Sequence, residues 1–196
     1  LNPFVKDMYL SWKRGGQEVA LGLMATPTWE LAENFWGERP IEKSPLDLYR
    51  FGSSRDTGLA WRSKYRDGRV FTHLVFGNGS GDGSETNKGK KVSASIGFKP
   101  VDPLVLQFYA DHEDRPGHTD RYTGSVLAGW TAERSRYGVQ YGFQRRQSES
   151  ADDEDVAVAS AFGVWKLTGN GSLVARYDRS FDGYSDASKI PYFRFE

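Results

Sequence analysis

The chain has 196 residues, of which 26 are Lys or Arg and 26 are Asp or Glu, so its formal net charge is zero. This balance argues against a nucleic-acid binder held by a basic face, and the absence of cysteine excludes disulfides, thiol catalysis and cysteine-ligated zinc. No apolar run approaches the roughly 18 residues of a membrane-spanning helix. Aromatic residues make up 14% of the chain and Gly reaches 22 residues, which is typical of β structure with aromatic surfaces.

Alternation of apolar and polar residues with a period of two predicts β-strands along most of the chain. In "SRYGVQYGFQ", for example, Tyr137, Val139 and Tyr141 share one face, and Gly138 and Gln140 share the other. Each run has about eight to twelve residues, close to the length of a tilted strand that crosses a bilayer. The predicted strands are 5–13, 18–25, 57–65, 69–77, 91–98, 104–111, 122–130, 135–144, 155–166 and 172–181, with a partial strand at 190–196.

The connections between these strands fall into two sets that alternate along the chain. The tight set comprises 14–17, 66–68, 99–103, 131–134 and 168–171. The long set comprises 26–56, 78–90, 112–121, 145–154 and 182–189. Because successive connections of an up-and-down sheet lie at opposite ends, every long loop shares one end. The sequence therefore predicts an all-β fold, a transmembrane antiparallel up-and-down β-barrel with 10–11 strands in this chain.

A soluble β-sandwich or lipocalin-like barrel is the alternative, since its strands also alternate. The rows opposite the apolar ones contain Gly, Ala and Ser beside Arg, Lys, Gln and Asp, which favours a wet, crowded lumen. The predicted lumen-facing charges are Lys13, Glu18, Arg62, Lys64, Lys91, Arg136, Arg176 and Asp178. Aromatic residues next to turns predict a girdle at the lipid–water interface. These are Trp12, Tyr65, Phe98, Tyr122, Trp130 and Trp165.

The segment "LGLMATPTWELAENFWGERPIEKSPLDLYRFGSSRDTGLAWRSKY" resembles outer-membrane porins of the broad group that includes the phosphate-selective porins. The likeness rests on an "LG" stretch, a "TP" step, a "WG-R" element and an "SRD-G" step. It implies a barrel of about 16 to 18 strands, often trimeric, that passes small solutes. We therefore expect residues 1–196 to form a single porin domain that is incomplete at both ends, because it has too few strands and ends in "PYFRFE". A complete ten-stranded barrel is the alternative.

The long connection 26–56 is the main functional candidate, because it alone among the long loops is rich in apolar residues. "TWELAENFW" predicts a short helix with Thr28 as its N-cap, and Pro40 and Pro45 are expected to prevent further helix. We expect this loop to fold into the barrel rather than to pack over its mouth or a trimer neighbour. The predicted constriction residues are Glu38, Arg39, Glu42, Lys43, Arg50, Arg55 and Asp56.

The remaining motifs predict no chemistry. "DHEDRPGHTD" carries His112, Glu113, Asp114 and His118, but a solvated turn is favoured over a metal site. The expected function is that of a porin without catalysis, metal or cofactor, in the outer membrane of a Gram-negative bacterium. Its expected partners are membrane lipid, lipopolysaccharide, small solutes and copies of itself in a homotrimer, and no nucleic acid. An adhesive or structural barrel is one alternative, and a protease at the barrel rim, using His112 with Asp111 or Asp114, is another.

Overall fold

The computed structural model describes residues 5–167 and 171–181. These residues form ten strands and two short helices. The strands are β1 (Met8–Arg14), β2 (Gln17–Ala25), β3 (Arg55–Tyr65), β4 (Val70–Gly77), β5 (Lys91–Phe98), β6 (Leu104–Glu113), β7 (Arg121–Thr131), β8 (Ser135–Arg146), β9 (Glu154–Lys166) and β10 (Ser172–Phe181). The helices, α1 (Pro27–Trp36) and α2 (Pro45–Leu48), both lie between β2 and β3.

All ten strands belong to one sheet, in which each strand pairs antiparallel with the next one along the chain. The predicted all-β, up-and-down organisation is therefore confirmed. The largest disagreement in strand bounds is at the start of β1, predicted at residue 5 and observed at Met8. The long connection predicted at 182–189 and the partial strand predicted at 190–196 lie outside the described residues. The long connections follow β2, β4, β6 and β8, so they share one end of the sheet, which we call the loop end, and the tight turns share the turn end.

The two faces of the sheet differ in chemistry and in accessibility. We call the face on which the β2–β3 connection packs the covered face, and its opposite the exposed face. The exposed face carries large apolar side chains that reach 82% exposure at Leu10. They include Met8, Leu10, Trp12, Leu21, Leu59, Leu74, Phe76, Val92, Phe108, Val126, Val139, Tyr141, Phe143 and Tyr177. Buried polar side chains on the covered face include His73, Lys91, Ser93, Gln107, Asp111, Thr123, Gln140, Gln144, Arg176 and Asp178.

Strand β9 departs from this division. Its apolar row, Val156, Val158, Phe162 and Val164, is buried on the covered face. Its small row, Ala157, Ala159, Ala161 and Gly163, lies on the exposed face. We expected the small and polar residues of each strand to face the lumen and its apolar residues to face outward. This expectation is wrong for β9, whose apolar row lies on the covered face. The physical reason is that the helices of the β2–β3 connection bury their own apolar side chains against this strand.

The helix prediction needs two corrections at its boundaries. Helix α1 begins at Pro27 with Thr26, not Thr28, at the N-cap position. The Thr26 hydroxyl donates instead to the Ser53 carbonyl at 2.8 Å, which joins the two ends of the connection. Pro45 begins α2 rather than ending helical structure, because the first position of a helix needs no backbone N–H. Among the described residues, no helix is long and apolar enough to cross a membrane.

Candidate functional site

The candidate site is residues 26–56, called segment 26–56 below, together with the part of the covered face beneath it. Its first contact with the sheet is an apolar cluster near the loop end. Tyr49 and Phe51 follow α2, whose Leu46 has 1% of its surface exposed. The cluster consists of Trp29, Leu46, Tyr49, Phe51, Val156 and Val158, with Leu48 at its edge. Helices α1 and α2 are thereby attached to β9.

A second apolar cluster lies at the end of α1. The Trp36 ring stands edge-on to the Phe162 ring, with centroids 5.0 Å apart, and Phe35 lies 6.1 Å from the same ring. The indole N–H of Trp36 donates to the Glu42 carbonyl at 2.8 Å. Val164 and Val174 complete the cluster from β9 and β10. Trp36 therefore connects α1 both to the sheet and to the turn that follows it.

Two arginines of the sheet bind the backbone of segment 26–56. Arg136 of β8 donates to the Trp36 carbonyl at 2.8 Å and to the Glu38 carboxylate at 2.5 Å. A cation is favourable there because the last carbonyls of a helix carry partial negative charge. Arg176 of β10 donates to the Lys43 carbonyl at 2.5 Å and lies 5.0 Å from the Trp36 ring centroid. Charged groups of the covered face therefore hold the segment on the sheet, in addition to its apolar side chains.

Two glutamines add neutral backbone contacts. Gln144 of β8 donates to the Phe51 carbonyl at 2.7 Å and to the Thr123 hydroxyl at 2.8 Å. Gln107 of β6 donates to the Pro27 carbonyl at 3.3 Å. Both glutamines are buried, so their hydrogen bonds satisfy groups that are shielded from solvent. Neither contact was predicted from the sequence, because a Gln in an alternating row gives no signal of its partner.

Gly37 ends α1 with φ of +69°, and a β-carbon there would lie 2.5 Å from the Arg136 guanidinium. We expect Gly37→Ala to cost about 1–2 kcal/mol from the left-handed conformation, plus the displacement of Arg136. Gly68→Ala is the matched control, since Gly68 has φ of +82° and no atom near that position. Chemical denaturation should show a larger loss for Gly37→Ala. Equal losses would contradict the contact with Arg136.

The predicted constriction residues have different surroundings. Arg39 and Lys43 are 43% and 54% exposed and pair with Asp47 at 3.1 and 3.7 Å. Arg50 is exposed, and Glu38 binds Arg136. Glu42 is partly buried, and its carboxylate accepts the Lys43 backbone N–H at 2.8 Å.

The last two constriction candidates lie at the base of the segment. Arg55 lies 2.8 Å from the Asp7 carboxylate. Asp56 is buried, and its carboxylate accepts the backbone N–H groups of Thr57 and Gly79 at 2.9 and 2.8 Å. Among the seven predicted constriction residues, the accessible charges are therefore chiefly those of Arg39, Lys43 and Arg50. Glu30 of α1, which was not among the predicted residues, is also accessible, with 51% of its side chain exposed.

All eight predicted lumen-facing residues occupy positions on the covered face. Near the turn end, Lys13 and Arg62 lie 3.6 and 3.7 Å from Glu18, and Lys64 is exposed. On β10, Arg176 and Asp178 form a bidentate pair at 2.9 and 2.5 Å. The others are Lys91, described next, and Arg136. A role in lining a channel stays a prediction for this set.

Lys91 lies in a buried charged network near the loop end. Its ammonium is 3.1 Å from Asp111 and 3.5 Å from Glu113, and the Tyr109 hydroxyl also donates to Asp111. Arg115 lies 3.5 Å from Glu113 and extends the network toward the next loop. The covered face therefore carries charges of both signs, mostly paired, rather than a one-sign ladder.

The six predicted girdle residues all point to the exposed face. Five of them lie near the turn end, and Tyr122 lies near the loop end. Trp165 donates to the Tyr137 hydroxyl at 2.8 Å, and Phe98 lies edge-on to Phe108 at 6.3 Å. Hydrogen-bonding tips on apolar rings are typical of residues at a membrane interface.

The motif around His112 is divided between the two faces of the sheet. His112 stacks on Tyr122 at 4.6 Å on the exposed face and lies 3.2 Å from Asp120. Asp111, its sequence neighbour, lies with Lys91 on the covered face. Hydrogen bonds from the Arg115 backbone and from His112 lower the pKa of Asp120. Within the described ranges, no three His, Asp or Glu side chains are grouped closely enough to hold a metal ion.

Compared with family models, with curated proteins and with solved structures, the chain shows no match.

Proposed function

We propose that this chain forms part of the wall of an outer-membrane porin through which small polar or ionic solutes diffuse. The proposal includes the closure of the sheet into a barrel and a location in the outer membrane of a Gram-negative bacterium. The likeness of "LGLMATPTWELAENFWGERP" and its continuation to porins supports it. No cofactor and no catalytic step are part of the proposal.

The single observation that carries the proposal is the inverted polarity of the sheet. Leu10, Met8 and Leu21 are 82%, 70% and 61% exposed, whereas Arg176 and Asp178 on the other face are 5% and 8% exposed. A soluble protein does not leave an apolar face of this extent in water. A barrel in a bilayer does, because its outward band meets lipid while its interior is polar.

Segment 26–56 is proposed to narrow the channel. It packs on the same face as the charged side chains, with its apolar clusters against β9 and β10 and with hydrogen bonds from side chains of β6, β8 and β10. Arg39 and Lys43 keep exposed cationic groups on it. Charges at the narrowest part of a pore set its ion preference, because the local field there acts at close range.

Conductance in a planar lipid bilayer tests this function. The full-length protein should produce stepwise ionic currents that stay open without added ligand. An absence of current from protein that has folded and inserted would overturn the proposal. It would favour the alternative of a structural or adhesive barrel.

Replacing Lys43 by Glu should shift the ion preference of the channel toward cations. A full charge reversal near the solute path is worth about 0.5–1 kcal/mol in a wet pore, which corresponds to about a twofold to fivefold change in the permeability ratio. The reversal potential in a salt gradient measures it. Lys99→Glu is the control, since Lys99 is exposed in the β5–β6 turn, away from the segment. Equal shifts for both variants would contradict the constriction role.

A further inference from the structure

A shallow apolar groove of about 620 Å³ crosses the exposed face from β6 to β10, and we call it the β6–β10 groove. The side chains of the exposed face that line it form two neighbouring cross-strand rows, and the row between them, Gln107, Leu127, Gln140 and Ser160, also borders the groove. One row is Phe108, Val126, Tyr141, Ala159 and Arg179, and the other is Leu106, Ala128, Val139, Ala161 and Tyr177. The groove therefore follows the register of the sheet, with small side chains of β9 in its floor.

The groove ends on β10, the last of the five strands that it crosses. Of the described residues that line it, Arg179 alone is charged, and it lies on β10 at this end of the groove.

Among residues 5–167 and 171–181, no carboxylate pairs with the charge at that end. Arg179 is exposed, and none of the described residues supplies a carboxylate to it; its guanidinium lies 4.9 Å from the Phe181 ring centroid. The neighbouring charges on this face, Arg145 and Asp155, form a bidentate pair with each other at 2.8 and 2.9 Å. A guanidinium that is left unpaired beside an apolar groove favours an anionic group joined to a hydrocarbon chain.

The length of the groove fits one lipid chain. It spans four inter-strand spacings of about 4.8 Å, or about 19 Å. One leaflet supplies about 15 Å of hydrocarbon along the membrane normal, and an oblique path across it is longer. We propose that the β6–β10 groove binds one acyl chain of an anionic phospholipid, with the lipid phosphate on Arg179. This inference rests on the proposed membrane location of the chain and adds a specific lipid site to it.

The retention of lipid by the detergent-purified full-length protein tests this site. Phosphatidylglycerol with palmitoyl and oleoyl chains is the probe, and bound lipid is counted by native mass spectrometry. Arg179→Gln removes the cation, and Ala161→Trp fills the groove with a large side chain. Each variant should lower lipid retention by about tenfold, the loss expected when a hydrogen bond to a charged group is removed or the acyl chain is excluded. Arg145→Gln and Ala94→Trp are the matched controls on the same face, outside the groove, and should retain lipid like the natural protein.

The alternatives give different results. Unchanged lipid retention in Arg179→Gln would overturn the proposed lipid site. This variant keeps the test valid even if Ala161→Trp fails to fold. Retention of diacylglycerol with the same chains as strong as that of phosphatidylglycerol would also overturn it. Displacement of the lipid by glycerol phosphate alone would show a free-phosphate site instead. Conductance on the same preparations separates the two proposals, since a lost lipid site with intact currents refutes only this one.

Discussion

Replacing Trp36 by Ala should release segment 26–56 from the covered face. Trp36 is 1% exposed and contacts Phe162, Arg176 and the Glu42 carbonyl. Removal of a buried Trp costs about 3–5 kcal/mol because of lost burial and the cavity that remains. Since this contact joins the segment to the sheet, the loss should appear as faster hydrogen exchange of amides in 26–56. In a planar bilayer, the variant should give larger and noisier currents.

Trp12→Ala is the control for this prediction. Trp12 is 60% exposed on the exposed face, so its removal leaves no cavity within the fold. Exchange in 26–56 and the currents should both be unchanged, because Trp12 lies on the opposite face of the sheet from the segment. An identical response of the two variants would mean that the segment is not held by the Trp36 cluster.

Replacing Asp178 by Asn should also destabilise the protein strongly. The Arg176 and Asp178 side chains are 2% and 5% exposed, and Arg176 also binds the Lys43 carbonyl. Removing one partner leaves a buried charge without compensation, at a cost of about 3–5 kcal/mol. The free energy of unfolding in denaturant measures the loss.

Asp155→Asn supplies a comparison with the same bonding pattern in a different environment. Arg145 and Asp155 are also bidentate, but their side chains are 55% and 63% exposed. The expected loss is much smaller than that for Asp178→Asn, because water competes for exposed ion pairs. Losses of the same size at both positions would show that the burial of the Arg176–Asp178 pair does not determine how much it stabilises the fold.

The strands were predictable because their signal is local. Alternation over eight to twelve residues sets which side chains share a face, and the tight turns between them, such as Gly15 and Gly16, leave little freedom of register. The organisation of ten strands into one up-and-down sheet follows from the alternation of short and long connections.

The placement of segment 26–56 was only partly predictable. Its aromatic residues indicated that it needs a surface, but no local pattern shows that β9 turns its apolar row toward Trp29 and Trp36. The same holds for Gln107 and Gln144, whose partners are 80 and 93 residues away in sequence. Asp56 looked like a free charge of the segment, yet the fold uses it to bind the backbone of Gly79.

In the proposed membrane location, the exposed face meets hydrocarbon while the covered face meets water. The chain contains no cysteine, so single cysteines can be introduced without a background. Leu10 and Ser11 are adjacent and both exposed, but Leu10 lies opposite Leu21 on the exposed face and Ser11 lies opposite Ala20 on the covered face. In proteoliposomes, a charged water-soluble thiol reagent should modify Ser11→Cys and leave Leu10→Cys protected. Equally fast modification of both positions would contradict the account.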